Sequence, residues 1–191
     1  MLCVNAGSGA SRLAAQWVEY CNFPGQTAFT EMRTRNGHPK PYGVRFWQIG
    51  NQDWHAWETG KGDARSYAKR YLEFANIMKA VDPDIELVGL LLSKRHFMPD
   101  WNGQFLNAAA QMVDHGSFHH YVGGRKSAYR EMEGDQNYSD NAYHSSIQSI
   151  QEYEKDINML VGSLRTHAAA YPEIKLVFDE WGIWHPESNP F

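Results

Sequence analysis

Residues 79–90, KAVDPDIELVGL, and residues 168–179, AAAYPEIKLVFD, carry the same junction twice. Each leaves a helix-forming stretch, passes through a proline and an acid, and enters an apolar run. Proline cannot continue a helix, and it pushes the residue before it toward extended backbone. Both stretches therefore read as helix ends feeding strands. The strands are nearly continuous in Val, Ile and Leu rather than alternating with polar residues. That is the composition of a parallel strand covered on both faces by helices.

The pattern extends in both directions. MLCVN opens the chain as a short apolar run, YGVRFWQIGN (42–51) is a second strand, and DHGSFHHYV (114–122) is a further one. SRLAAQWVEYC (11–21) places Leu13, Trp17 and Tyr20 at helical spacing. Asp63 can cap a helix running to about Val81, with Tyr67, Tyr71, Phe74 and Met78 on one face. Residues 99–112 and 141 to about 171 are further helices, and 22–43 and 123–140 are loops. Strand and helix in alternation leave two architectures open, a doubly wound sheet and a (β/α)8 barrel. No glycine-rich phosphate fingerprint follows a strand; GSG at 7–9 is too short to count.

Composition narrows the function classes. A chain of 191 residues with 42% hydrophobic content is one domain or part of a larger one. A net charge of −4 without a basic stripe argues against a nucleic-acid partner. No apolar run approaches the roughly 18 residues of a membrane span. The start lacks the features of a signal peptide. Cys3 and Cys21 form no redox or metal motif, which fits a reduced, cytoplasmic setting. Aromatic content is 14%, with seven Trp, as a rich core or a ligand-stacking surface requires.

Polar residues gather at three strand ends: Asn51 and Gln52, His119 to Tyr121, and Asp179 to Trp181. Barrels build their active sites at that face. Alternation along a strand puts Phe46, Gln48, Gly50 and Gln52 on one face, and likewise Ser117, His119 and Tyr121. On the last strand it groups Leu176, Phe178 and Glu180. If these faces point inward, Gln52, His119, Tyr121 and Glu180 converge. An acid closing an apolar strand, as Glu180 does, must be paired or used; a salt bridge is the plain alternative to catalysis. His115, His119 and His120 do not share one face as a three-ligand set, so no metal is expected.

FWQIGNQDW (46–54), SFHHY (117–121) and FDEWGIW (178–184), in this order, resemble glycoside hydrolase family 51. So does WVEYCN (17–22) followed by NGHPKPYGVRFWQIGN (36–51). The members are mainly α-L-arabinofuranosidases, in the clan of retaining (β/α)8 glycosidases. The resemblance implies an α/β fold, an incomplete (β/α)8 TIM barrel of about strands 3 to 7. Residues 1–191 would be a partial catalytic domain without the family's accessory β-sandwich, with exposed edges at strands three and seven that favour self-association.

Residue by residue, the family's pattern places the nucleophile at Glu180 and the acid/base at Gln52, which here replaces a Glu. Asn51 matches the ligand of the sugar's 2-hydroxyl, and His119 and Tyr121 the pair lining the sugar site, with Tyr121 bonding the nucleophile. Trp184 matches a pocket wall. The implied partner is an arabinose-containing oligosaccharide or polysaccharide, with no cofactor and no metal; homo-oligomerisation of the full-length protein stays open. A retaining glycosidase needs one carboxylate to attack and one carboxylic acid to protonate the leaving oxygen. Gln52 keeps size and hydrogen bonding but has no proton to transfer, so cleavage of natural glycosides should be impaired. Another retaining barrel glycosidase, such as a xylosidase or endoglucanase, and a non-catalytic sugar-binding homologue are the competing readings.

Overall fold

The computed structural model describes residues 1–55, 58–93, 98, 100–123, 144 and 147–184, with only the backbone described for 122, 123, 183 and 184. Strands β1 (Leu2–Val4), β2 (Phe46–Ile49), β3 (Glu86–Leu90), β4 (His115–Gly123) and β5 (Lys175–Trp184) alternate with helices. These are α1 (Ser11–Asn22), α2 (Ala28–Arg35), α3 (Ala64–Val81), α4 (Trp101–Ala109) and α5 (Gln151–His167). The five strands form one sheet in the order β1-β2-β3-β4-β5, and every pairing is parallel. A doubly wound sheet reverses its order partway; this one advances in a single direction throughout the described strands. With right-handed crossovers, such a sheet carries its helices on one face, and its C-terminal strand ends are where a site is built. The helices pack as neighbours accordingly, α1 against α3, α3 against α4, and α4 against α5.

Helix α3 shows how the sequence sets this packing. The Asp63 carboxylate accepts from the Ser66 N–H at 2.8 Å and caps the first turn. The predicted stripe Tyr67, Tyr71, Phe74 and Met78 is buried. Burying two phenols requires partners for both hydroxyls. Tyr67 Oη donates to the Ile49 carbonyl at 2.8 Å and accepts from the Leu90 N–H at 3.0 Å; Tyr71 Oη donates to the Met112 carbonyl at 3.0 Å. Tyr67 thus bridges β2 and β3, while its ring stacks on Trp101, 5.3 Å away.

Three expectations change. The loop read over 22–43 contains α2, opened by a reciprocal cap between Thr27 and Thr30. Its anchor is polar: buried Arg33 donates to the carbonyls of Tyr20, Phe23, His38 and Pro39. No apolar stripe announces such a helix. On α1 the buried face is Ser11, Ala14, Ala15, Val18 and Cys21, whereas Leu13 and Trp17 are exposed. Small residues let α1 approach α3 closely, and Ser11 Oγ donates to Glu73 across that contact at 2.7 Å. The helix read over 99–112 is α4 followed by a 3₁₀ turn, Ala110–Met112. The loop at 123–140 and the start of the helix placed from 141 lie largely outside the described residues.

Gly89 marks a close approach of helix to sheet. A Cβ there would stand 2.5 Å from Phe105 Cζ and 3.2 Å from Tyr71 Cε2. Gly89→Val should therefore overpack the interface and cost roughly 1–3 kcal/mol, read as a lowered denaturation midpoint. An unchanged midpoint would mean that α3 and α4 do not close on β3 this tightly.

Candidate active site

The C-terminal ends of β2, β4 and β5 deliver the polar residues. After Ile49 the chain turns through left-handed backbone twice, at Gly50 (φ 78°) and at Gln52 (φ 50°). Glycine is required at the first: a Cβ would lie 2.7 Å from Asp53 Oδ1. A non-glycine residue in the second is uncommon and needs its surroundings to hold it. Asp53 supplies that hold. It is buried, its Oδ1 accepts from the Asn51 N–H at 3.0 Å, and its Oδ2 accepts from Arg70 of α3 at 2.8 Å. Burial pushes the Asp53 carboxyl up, while Arg70 and the Asn51 N–H pull against it. The Gly62 N–H closes the loop onto the Asp53 carbonyl at 3.0 Å. Gln52 thus reaches the site through a braced turn, not through strand alternation.

On β5 the predicted face assignment is corrected. Phe178 does not share a face with Glu180; it stacks on Phe118 at 4.6 Å and meets Tyr153 of α5 at 5.2 Å. The register explains this. Phe118 pairs with Phe178, but His119 pairs with Glu180, so Asp179 is an extra residue at a β-bulge. The bulge turns two successive carboxylates toward β4. Asp179 Oδ1 accepts from Ser117 Oγ at 2.7 Å and faces His119 Nε2 at 3.5 Å. Glu180 Oε2 stands 3.1 Å from His119 Nδ1 and accepts from Tyr121 Oη at 3.4 Å.

His119 is the hub. It is buried, with carboxylates at both ring nitrogens, and the Gln52 amide lies 2.7 Å from Nδ1. Burial disfavours the imidazolium, yet the Asp179 and Glu180 carboxylates outweigh it and push His119 up to about 9. The Nδ1–H of the imidazolium is directed at Glu180 Oε2, 3.1 Å away. The His119 hydrogen bond holds Glu180 below its ordinary range, against burial. Tyr121 is raised by burial and by Glu180. Gln52 Nε2 donates to Glu180 Oε2 at 3.5 Å.

The structure thus brings together Gln52, His119, Tyr121 and Glu180, with Asn51 one residue from Gln52 on the braced loop. Trp184 ends β5, and its side chain is outside the described residues. Sequence reasoning missed Asp179, Asp53 and Trp54. Buried Trp54 backs the hub, its ring 6.4 Å from His119 and 5.4 Å from Trp101. The DE pair at 179–180 was visible as two acids, but only a bulge lets both face one way. Among the described residues no group of three or more metal-ligating side chains assembles, and no helix is long and apolar enough to cross a membrane.

A one-directional parallel βα sheet with an ionised carboxylate, an imidazolium and a phenol at its strand ends has the make-up of a barrel glycosidase site. Residues 8–155 match the model of the α-L-arabinofuranosidase 1 domain, and the chain belongs to that family, the glycoside hydrolase family 51 arabinofuranosidases. It is 28% identical over 191 residues to an intracellular exo-α-(1→5)-L-arabinofuranosidase of Acetivibrio thermocellus, covering 99% of this chain and 36% of that protein. With the corresponding enzyme 1 of Bacillus subtilis it shares 30% over 187 residues, 96% of this chain and 35% of the relative. The crystal structure of the family 51 α-L-arabinofuranosidase AbfB of Bifidobacterium longum superposes with a TM-score of 0.80 at 27% identity, covering all of this chain and 37% of that one. The chain thus spans little more than a third of the length of these relatives.

The hub carries a pH signature. A histidine raised above its ordinary value stabilises the folded state fully below about 6.5 and loses that contribution as pH rises, here through about 9. Stability should therefore fall across that alkaline window. In an NMR titration of the imidazole nitrogens, Asp179→Asn should lower the His119 midpoint. An unmoved midpoint would remove Asp179 from the hub.

Proposed function

We propose that this chain is the catalytic part of a retaining α-L-arabinofuranosidase-like enzyme, strands 3 to 7 of a (β/α)8 barrel, that releases terminal arabinofuranosyl groups by double displacement. Glu180 is the nucleophile, Gln52 occupies the acid/base position, and Asn51, His119, Tyr121 and Trp184 line the sugar site. The observation that carries this reading is the meeting of Gln52 and Glu180 at one histidine, with Gln52 Nε2 donating to Glu180 Oε2 at 3.5 Å. Retaining pairs stand about 5–5.5 Å apart, whereas inverting pairs need roughly 6.5–9.5 Å to admit a water. Two side chains within hydrogen-bond reach of each other leave no room for the interposed water of an inverting pair, which supports the retaining reading.

The groups divide the work. His119 and Tyr121 donate to Glu180, keep it ionised and orient one oxygen. Attack by that oxygen forms a glycosyl-enzyme, and water then releases the sugar. The position opposite should give a proton to the leaving oxygen and take one from the water. Gln52 can hydrogen-bond to either but transfer to neither, so both steps on an ordinary glycoside are slowed. Several relatives are named as intracellular exo-acting arabinofuranosidases, which supports a terminal arabinofuranosyl substrate and an intracellular setting.

Turnover of an arabinofuranosyl disaccharide tests the assignment. Gln52→Glu should raise its rate by about 10²–10⁴-fold, the usual worth of general acid–base catalysis, and Glu180→Gln in that background should abolish it. If Gln52→Glu changes nothing while the sugar still binds, the site is a binding pocket and not a glycosidase centre.

A further inference from the structure

We infer that this site, on the reading proposed above, serves donors whose leaving group departs as a stable oxyanion and acceptors that are themselves anions. Its substrates are then arabinofuranosyl groups attached through an acidic phenol, a carboxyl or a phosphate, not through an alkyl alcohol.

Position 52 has lost a proton and nothing else. Its left-handed backbone is still held, with Asp53 tied to Arg70 at 2.8 Å and to the Asn51 N–H at 3.0 Å. Its amide Nε2 lies 2.7 Å from His119 Nδ1 and donates to Glu180 Oε2 at 3.5 Å. The attacking side is intact as well: Glu180 is engaged by His119 at 3.1 Å and Tyr121 at 3.4 Å. A decayed site would have no reason to keep a strained, braced turn around a side chain without a task.

The chemistry follows from the one missing proton. An alkoxide is too basic to leave unprotonated, but the anion of an acidic phenol, carboxylic acid or phosphate is not. The Gln52 amide, whose Nε2 donates to Glu180 at 3.5 Å before attack, offers N–H to a departing oxyanion without transferring a proton. The second step is selective in the same way. Water or a neutral hydroxyl needs a base in order to attack, and Gln52 is not one. An anionic acceptor needs no base. A glutamate at position 52, having given up its proton, would repel that acceptor; the neutral amide does not.

Both steps balance without a proton transfer. In the first, the bond from the anomeric carbon to the leaving oxygen breaks with its electron pair leaving on that oxygen, and a bond from Glu180 to the anomeric carbon forms. In the second, the anion bonds to the anomeric carbon, and the Glu180 carboxylate is released.

The test uses aryl arabinofuranosides graded in phenol acidity, from dinitrophenyl to methoxyphenyl, together with methyl arabinofuranoside. We expect kcat/KM to fall steeply as the phenol becomes less acidic, and the methyl glycoside to be inert. Gln52→Glu should flatten that dependence, raising the weakest donors by about 10²–10⁴-fold and the dinitrophenyl donor far less. With the dinitrophenyl donor, azide or inorganic phosphate should raise kcat and form the arabinofuranosyl azide or phosphate with retained configuration; equal methanol should not. A flat dependence on phenol acidity, or methanol as effective as azide, would overturn this inference and leave the glycosidase reading standing. No phenolate release from the dinitrophenyl donor would overturn both.

Discussion

The contact between His119 and Glu180, 3.1 Å across the β4–β5 pairing, is what the rest of the site depends on. It exists because β5 carries one extra residue opposite Phe118 and His119. Without that bulge, Phe178 and Glu180 would share a face, and either the aromatic contact with Phe118 and Tyr153 or the carboxylate contact with His119 would be lost. The bulge satisfies both sides of the sheet. It also brings in Asp179, so that His119 is charged although buried. A buried cation is costly unless neighbours of opposite sign compensate, and here two carboxylates do.

The frame that presents these groups is apolar and was legible in the residues. The proline junctions at 83 and 172 marked two strands, and the spacing of Tyr67, Tyr71, Phe74 and Met78 marked the buried face of α3 because a core stripe has a period that local reading can detect. The convergence of Gln52, His119, Tyr121 and Glu180 was also legible, through strand-end position and resemblance. The route by which two of them arrive was not. Alternation placed Gln52 inward, but a left-handed residue outside the strand delivers it, held by Asp53 and Arg70. Alternation placed Glu180 inward together with Phe178, but a bulge separates the two. Both devices depend on tertiary partners distant in sequence, so no window of the chain displays them. Helix α2 was illegible for a related reason: its anchor, Arg33, is satisfied by four backbone carbonyls rather than by an apolar stripe.

Electrostatically the site is built around an anion, which on the proposed reading is kept ready for attack. Hydrogen bonding depresses Glu180 and keeps it ionised at neutral pH. Cys3, on β1, feels the same field: burial pushes its thiol up to about 11, with Asp53, Asp179 and Glu180 adding to the shift, so it has no nucleophilic part. His55, lowered mainly by burial and also by the nearby His119 charge, does not act as a second imidazolium. Among the described residues, then, His119 is the cation that serves the proposed nucleophile, and Gln52 is the neutral side chain beside it. On the proposed reading, an amide at position 52 changes what the site can protonate without changing what it can attack.

Covalent labelling of the nucleophile tests that division most directly. The protein should be incubated with a 2-fluoro-arabinofuranosyl donor bearing dinitrophenolate, a leaving group that needs no acid, and then digested and mapped by mass spectrometry. A single sugar adduct on Glu180, formed with Gln52 in place and absent from Glu180→Gln, is the predicted result. An adduct on Asp179, or sugar binding with no adduct at all, would contradict the account.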